Sequence, residues 1–531
     1  MTTALFAASS FAQMSPTLQI SENGGNATFS WSGTPGFFLL QATTNLSRPV
    51  AWTSTLPNWV GAPATNVNVA LSQMPKFFRL AQVVPVFQFG VFYSLDLDIS
   101  PGQPMTMSGA VFADGNIWIW PFASVTFNGT VVAAGVVTNA TNPYDQQPSS
   151  GFVAPTYNAG EPVSHAGPLV LLAALTNAAP ANLFQGFLDL PPGTNGAPNT
   201  NAYTANGQIY LFNEVDLIIS NSPIGLSGTR GTNITIWYQD TNQTTALTPL
   251  QPDVTNVIAT YTNRFFSFVT NVQFYDYRES DIVQAVQIDV AKLNVWLTNT
   301  TGGNSINRTS YNDKGRGINS IYVYNQVPIT TSQLPAVRLV NGAQLPYTVD
   351  PGGNRLATGG LTVATPQPLY VKGNYNAQTN GGSAGASAGT TNTANTYPAA
   401  LMGDAITILS ANWLDSWTAG TSLGVRIPAN TTINAACLAG IVQSTNSGGN
   451  NYYSGGLENY LRLEENWSSS TVLTFNGSLV AMFPSIYATN VWQELGSYYF
   501  APARQWNFDL NFTDPTKLPP LTPMVSNFVS P

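Results

Sequence analysis

Carboxylates are the side chains of this sequence most able to act as general acids or bases, because the chain holds 25 Asp and Glu but one His and one Cys. Acid–base catalysis near neutral pH usually uses His, Cys, Lys or a carboxylate with a shifted pKa. Glycoside hydrolysis would require two carboxylates that face each other at a set separation. The candidates considered are Asp276, Glu279, Asp281, Asp404, Asp415, Glu458, Glu464 and Glu465.

The local context of these carboxylates favours structural roles. Asp404 follows Gly403 at the start of a strand pattern, which predicts a corner. Residues 276–279 read Asp-Tyr-Arg-Glu and predict an ion-paired group that holds a helix on a sheet. Glu464 and Glu465 could bind calcium, although neither an EF-hand nor a nonapeptide calcium repeat is present in the sequence. We therefore predict no catalytic, cofactor-binding or metal-binding residues.

The remaining reactive groups also have structural interpretations. His165 would have to serve any Ser/His/Asp triad, but no nucleophile elbow lies near it and a loop position is expected. Cys437 lies in an apolar run and is expected to be a small buried residue. One His and one Cys exclude a structural zinc site. The late tryptophans are expected to lie mainly in the core: Trp413, Trp417, Trp467, Trp492 and Trp506.

The composition favours a β protein with a polar but weakly charged surface. Charged residues make up 8% of the 531 residues and hydrophobic residues 44%, with 45 Gly and 37 Pro available for turns. So few charges disfavour long exposed helices. The net charge of −8 and the scattered Lys and Arg exclude binding to a nucleic acid backbone as a main function.

Short strand patterns organise the chain, most clearly over residues 360–413. Each pattern is a β-branched and aromatic run that ends at Gly, Asn or Asp. A spacing of roughly 20 residues predicts a coiled sheet, with a parallel β-helix as the simplest arrangement. The segments TFNGTVVA at residues 126–133 and TFNGSLVA at residues 474–481 share six of eight positions. We expect them to be equivalent units of one coiled body.

The fold class predicted is mainly β: a parallel β-helix-like body with an α+β insertion and a small N-terminal β-sandwich-like module. The module spans residues 16–83, the first β-helical part 84–199, the insertion 200–350 and the second β-helical part 351–531. The second part contains a flexible loop at 374–397 and a Pro-rich tail. Helical spacing predicts one helix near residues 288–297, which Asp289 would help to start.

The first residues predict export. Residues 1–15 look like the end of a secretory signal peptide, with a small-x-small cleavage site at residues 10–12. No later stretch holds 18 consecutive apolar residues, so no transmembrane helix is predicted. An extracytoplasmic location, secreted or at the cell surface, follows as an expectation.

Several phrases together resemble a known family: PMTMSG at residues 104–109, FYDYRE at 274–279, PLYVKGNYN at 368–376 and GGLEN at 455–459. Over about residues 90–520 the chain is similar to the large extracytoplasmic proteins of verrucomicrobia and planctomycetes called PilX-like type IV pilus assembly proteins. The closing FFRL of residues 77–80 resembles small modules of secreted verrucomicrobial proteins. This resemblance implies a surface-bound or pilus-associated protein and carries no catalytic motif.

We therefore expect an exported structural or adhesive protein without catalytic activity. Its partners would be pilus or cell-surface proteins and glycans, with no nucleic acid. Two alternatives are a β-helical carbohydrate-active enzyme, either lyase or glycoside hydrolase, and a subunit of a filament or capsid.

Overall fold

A computed structural model describes most of the chain, with gaps between elements. The described residues are 17–23, 26–32, 37–43, 53–54, 60–61, 64–70, 77–145, 151–171, 186–192, 207–221, 234–240, 254–258, 261–298, 306–347, 360–377, 388–394, 396–468, 471–493 and 495–528. The expected signal segment at residues 1–15 lies outside them, as does the middle of the expected loop at residues 378–387.

The N-terminal module is built from antiparallel strands around a small aromatic core. Its strands are β1 (Thr17–Asn23), β2 (Asn26–Ser32), β3 (Phe37–Thr43), β4 (Thr53–Ser54), β5 (Val60–Gly61), β6 (Ala64–Ala70) and β7 (Phe77–Pro85). β2 pairs with β1 and β6, and β3 pairs with β7. Phe29, Trp31 and Leu40 are buried between the strands. The period-two alternation of residues 17–21 and 27–31 is typical of strands such as β1 and β2.

A regular set of very short strands follows. It comprises β8 (Val91–Tyr93), β9 (Leu97–Ile99), β10 (Met105–Met107), β11 (Val111–Ala113), β12 (Ile117–Ile119), β13 (Val125–Phe127), β14 (Val131–Ala133), β15 (Val137–Thr138), β16 (Thr156–Tyr157) and β17 (Val170–Leu171). Val91 pairs in parallel with Val111 and Val111 with Val131, so the unit repeats every 20 residues. Residues 105–120 form three strands, separated by corners at residues 108–110 and 114–116.

The middle of the chain contains longer strands and two helices. The strands are β18 (Leu217–Asn221), β19 (Ile234–Tyr238), β20 (Val254–Ile258), β21 (Tyr261–Phe265), β22 (Val269–Asp276), β23 (Asp281–Asp289), β24 (Ser320–Asn325) and β25 (Gln333–Val340). The helices are α1 (Val290–Thr298) and α2 (Ile306–Lys314). The predicted helix is confirmed as α1, and Asp289 accepts a hydrogen bond of 3.0 Å from the Lys292 amide. The sequence did not predict α2.

The C-terminal part returns to short strands. They are β26 (Leu361–Ala364), β27 (Leu369–Lys372), β28 (Ala399–Gly403), β29 (Ile406–Leu409), β30 (Thr431–Asn434), β31 (Ala436–Ile441), β32 (Thr445–Ser447), β33 (Asn450–Tyr452), β34 (Leu461–Leu463), β35 (Val472–Gly477), β36 (Leu479–Pro484), β37 (Ala503–Phe508) and β38 (Met524–Phe528). Beyond the Pro-rich tail, β38 pairs with β7 and joins the two ends of the chain. Asn376 and Tyr397, at the two ends of the predicted flexible loop, are buried and hydrogen-bonded to each other.

The molecule is mainly β with parallel sheets. The largest sheet has ten strands in the order β14-β11-β8-β36-β31-β28-β26-β24-β18-β19, and a second has six in the order β22-β23-β25-β27-β29-β34. The ten-stranded sheet is buried on both faces: Val111 and Leu401 face one core, and Phe112 and Met402 face another. Burial on both faces explains why its strands read as continuous apolar runs.

The pairing of β36 with β8 joins parts of the chain that are far apart in sequence. Leu479 pairs in parallel with Val91, so the last C-terminal unit stacks on the first N-terminal one. The two matched segments therefore occupy equivalent positions, and Phe127 and Phe475 are both buried in the main core. The expectation that the two segments belong to one body is confirmed by this pairing of β36 with β8. Residues 200–350 do not form the separate insertion that was predicted. β24 pairs with β26 and β25 pairs with β27, so the strands of this region belong to the same sheets as the C-terminal strands.

Asparagines line one corner of the stacked units. Asn434, Asn476 and Asn507 lie in register. The Nδ2 of Asn476 donates to Oδ1 of Asn434 at 2.7 Å, and Nδ2 of Asn507 donates to Oδ1 of Asn476 at 3.3 Å. Asn158 donates in the same way to Asn128 at 2.7 Å in the N-terminal units. Each side-chain amide hydrogen-bonds to its neighbour within the parallel ladder of β30, β35 and β37.

Candidate functional site

The candidate site lies on the face of the six-stranded sheet that points away from the main core. Side chains alternate along a strand, so Leu461 and Leu463 enter the core while Arg462 points to the opposite face. The same alternation in β27 puts Tyr370 on that outer face, since Leu369 and Val371 are core residues. Tyr370 and Arg462 are nevertheless buried, because other segments cover this face.

The turn between β22 and β23 is one of the covering segments. The Tyr370 hydroxyl donates to Oδ2 of Asp276 at 2.5 Å, and the Glu279 amide donates to Oδ1 of Asp276 at 2.6 Å. Ser280 has a φ of 58°, which lets the chain reverse into β23. Arg462 Nη1 forms an ion pair of 2.5 Å with Oε1 of Glu279. Of the predicted ion-paired group, Glu279 forms an ion pair, but its partner is Arg462 from outside the group, and the pair holds this turn, not helix α1, on the sheet.

Two buried carboxyl groups meet at this turn, and we call Asp276 and Glu464 the carboxyl pair. Glu464 and Asp276 are 1% and 2% exposed. The Tyr277 amide donates to Oε2 of Glu464 at 2.9 Å, and the Glu464 carboxyl group lies close enough to that of Asp276 for their charges to interact. Burial, and then the negative charge of Asp276, raise the pKa of Glu464 well above its ordinary value.

A buried arginine lies against the carboxyl pair. Arg426 Nη1 donates to the backbone carbonyl oxygen of Glu464 and, at 3.1 Å, to that of Tyr498. Its guanidinium carbon lies 3.4 Å from the centre of the Tyr277 ring. This stacking compensates part of the desolvation of the cation. Burial lowers the pKa of Arg426 from its ordinary value.

Residues 410–427 form a second covering segment, and two acidic groups fasten it. Asp415 accepts two hydrogen bonds of 2.6 Å from the buried Arg338 of β25. Glu465 accepts one from the Ser410 amide at 2.6 Å and one from the Ser410 hydroxyl at 2.7 Å. Burial raises the pKa of Glu465 to about 7. These carboxylates anchor a loop.

Asp404 confirms the corner predicted from the sequence. It lies between β28 and β29, is 1% exposed and accepts hydrogen bonds from the amides of Ile486, Tyr487 and Ala488 at 2.6, 3.1 and 2.8 Å. It therefore ties the corner to the segment that follows β36. Burial raises the pKa of Asp404 although the three amides favour its charged form.

The other candidate residues have surroundings of their own and make their contacts away from the carboxyl pair. Burial raises the pKa of Glu458 to about 7, and the Ser100 amide lies 3.4 Å from its Oε2. Asp281 is half-buried at the start of β23. His165 is exposed, with a φ of 60°, in the segment that follows the N-terminal units. Cys437 is fully buried in β31, and burial raises the pKa of its thiol.

The tryptophans divide between core and surface. Trp413, Trp467 and Trp506 are buried as expected. Trp417 and Trp492 are half-buried, and Trp417 packs edge-on against Trp413 with ring centres 5.1 Å apart.

Sequence reasoning found Asp276, Glu279 and Glu464 but missed their partners Tyr370, Arg426 and Arg462. One signal was available for Arg462, since it stands between two leucines in a run that reads as a buried strand. A charged residue there must find an internal partner.

Within the described parts of the chain, no group of three or more His, Cys, Asp or Glu side chains is arranged to hold a metal ion. Among the described helices, none is long and apolar enough to cross a membrane. Comparison with protein-family models, with curated proteins and with solved structures gave no match to this chain. The function is therefore inferred from the geometry of the molecule itself.

Proposed function

We propose that the body of the protein is a parallel β-helix and that the chain acts as an exported, non-catalytic structural or adhesive protein of the cell surface. The 20-residue repeat of the N-terminal strands and the parallel stacking of β36 on β8 support the fold. A long rigid body with a polar, weakly charged exterior suits display of binding surfaces.

The observation that carries the non-catalytic role is the use of the candidate carboxylates inside the molecule. Asp404 holds three backbone amides, Glu279 pairs with Arg462, and Glu465 holds Ser410. The carboxyl pair is buried beneath the β22–β23 turn, where the Tyr277 amide donates to Glu464 and the Tyr370 hydroxyl to Asp276. A catalytic acid or base must reach the atom that it protonates or deprotonates. These groups are instead buried in contacts that fasten covering segments to the sheet.

The resemblance to PilX-like proteins adds a specific location to this proposal, which is association with type IV pili. Fractionation of cells that make the protein tests the location. The protein should appear at the cell surface or in sheared filaments. Recovery only from the cytoplasm would contradict the proposal.

Incubation with acidic and neutral polysaccharides tests the absence of catalysis. The purified protein should bind or ignore the polysaccharides without releasing reducing ends or unsaturated products. Cleavage by the wild type that a Glu464→Gln variant loses would establish the carbohydrate-active enzyme instead. A Glu161→Gln variant, with a change at an exposed carboxylate, serves as the matched control.

A further inference from the structure

A cleft opens near the junction of the N-terminal and C-terminal units. The cleft is narrow: the about 340 Å³ that it encloses includes open solvent, and about 10 Å³ of it admits the centre of a water molecule. The N-terminal units, the β22–β23 turn and the segment around β34 all contribute to its walls. The polar and aromatic side chains that line it include Tyr93, Asp98, Arg278, Ser454, Tyr460 and Arg462.

Arg278 is the unusual member of this lining. It is only 5% exposed, yet it forms no ion pair with any described residue. Its one side-chain hydrogen bond to a described residue runs from Nε to the Asn490 carbonyl oxygen at 3.4 Å, which is long. Burial, and then the nearby charge of Arg462, lower the pKa of Arg278. A guanidinium removed from water without an anion is costly.

The carboxylates around Arg278 are already occupied. Glu279 pairs with Arg462 at 2.5 Å and accepts from the Asn490 amide at 3.0 Å. Asp98 accepts from Asn142, Ser444 and Ser454 at 2.8, 2.6 and 2.9 Å. Within the described residues, the guanidinium of Arg278 therefore faces the cleft without a protein counter-charge.

We propose that this cleft binds one small oxyanion, a carboxylate or sulfate group, with Arg278 as its main ligand. A guanidinium presents two parallel N–H groups that match two oxygens of such an anion. The hydroxyl of Tyr93, buried in the same lining and hydrogen-bonded to no described residue, supplies a further donor. The inference goes beyond the proposed function and holds wherever the protein is located.

Calorimetric titration of the folded protein with sodium sulfate and with sodium acetate, against sodium chloride at equal ionic strength, tests the site. The wild type should bind one anion per chain in a saturable manner. Arg278→Gln should weaken that binding at least tenfold. Arg308→Gln, which removes an exposed arginine of α2, should leave the binding unchanged.

A sulfated oligosaccharide distinguishes the source of the anion. If the sulfated oligosaccharide competes for the site at a lower concentration than free sulfate does, the bound group is a substituent of a glycan. If only the free ions compete, the ligand is a free anion. If Arg278→Gln does not fold by circular dichroism, Arg278→Lys and Tyr93→Phe replace it, and both should weaken binding several-fold. Absence of saturable binding to the wild type, or equal binding by the Arg278 and Arg308 variants, would overturn the site.

Discussion

At the residue scale, the protein buries several of its carboxyl groups although it has few charged residues in total. Asp276, Asp404, Glu464 and Glu465 are each no more than 2% exposed. Forming such buried contacts contributes little net stability, because desolvation offsets the attraction. Removing one partner is costly, since the other is left unsatisfied. The value of these groups therefore lies in fixing which segment covers which part of the sheet.

Replacement of Asp404 by Ala should lower the free energy of unfolding by about 3 kcal/mol or more, because three amides of residues 486–488 lose their acceptor. Urea unfolding measures the loss. Asp514→Ala provides the control, since that side chain caps one exposed turn. Equal losses in the two variants would show that the Asp404 contacts do not stabilise the fold.

At the element scale, corners decide whether successive units stack. Gly477 ends β35, and a Cβ at this position would collide with the carbonyl oxygen of Ala435 in the neighbouring unit. Asn476, beside it, is 1% exposed and bonded on both sides by asparagines. The Asn-Gly pair therefore combines close approach of the backbone with a polar ladder.

Gly477→Ala should destabilise the protein by several kcal/mol, because backbone has to move to admit the methyl group. Gly102→Ala is the matched control, since a Cβ there has no atom within 4 Å. Thermal unfolding of both variants gives the comparison. Similar melting temperatures would mean that the corner is looser than the structure shows.

Asn476→Ala should cost about 1–3 kcal/mol, because it leaves Asn434 and Asn507 without a ladder partner. Asn446→Ala, at an exposed hairpin position, should cost much less. Chemical denaturation tests both variants. An unchanged midpoint for Asn476→Ala would show that the ladder follows from stacking and does not support it.

At the scale of the whole molecule, the buried carboxyl groups couple folding to protons. Burial raises the pKa of Glu458 and of Glu465 from 4.5 to about 7. Between these values the folded chain holds protons that the unfolded chain releases. The contribution of these groups to the free energy of unfolding is therefore fully present below their pKa in the unfolded chain. It is lost as the pH rises through their pKa in the folded chain.

The free energy of unfolding should accordingly fall as the pH rises from 4.5 to about 7, by at most ~1.4 kcal/mol per pH unit for each proton. Denaturant titrations across this range measure the slope. A Glu458→Gln and Glu465→Gln double variant should have a smaller slope than the wild type, whereas Glu161→Gln at an exposed site should keep the wild-type slope. A wild-type stability that rises across the range would contradict this coupling.

The sequence by itself determined the local features. Short β-branched runs predicted the β class, and the spacing predicted the repeat. The Gly403–Asp404 step predicted a corner, helical periodicity predicted α1, and the repeated TFNG motif identified equivalent units. Apart from the match between the two distant copies of the motif, each of these follows from residues within about 20 positions, where side-chain period and turn chemistry are set by the local backbone.

Tertiary structure alone decided which distant segments meet. The junction of Leu479 with Val91, the carboxyl pair of Asp276 and Glu464, and the unpaired charge of Arg278 each depend on residues far apart in the chain. The alternation of side chains along a short strand predicts which of them share a face of the sheet, but it does not predict which segment covers that face. The tertiary structure decides which segment covers each face, because that segment must pack against the face and supply partners for its buried charges.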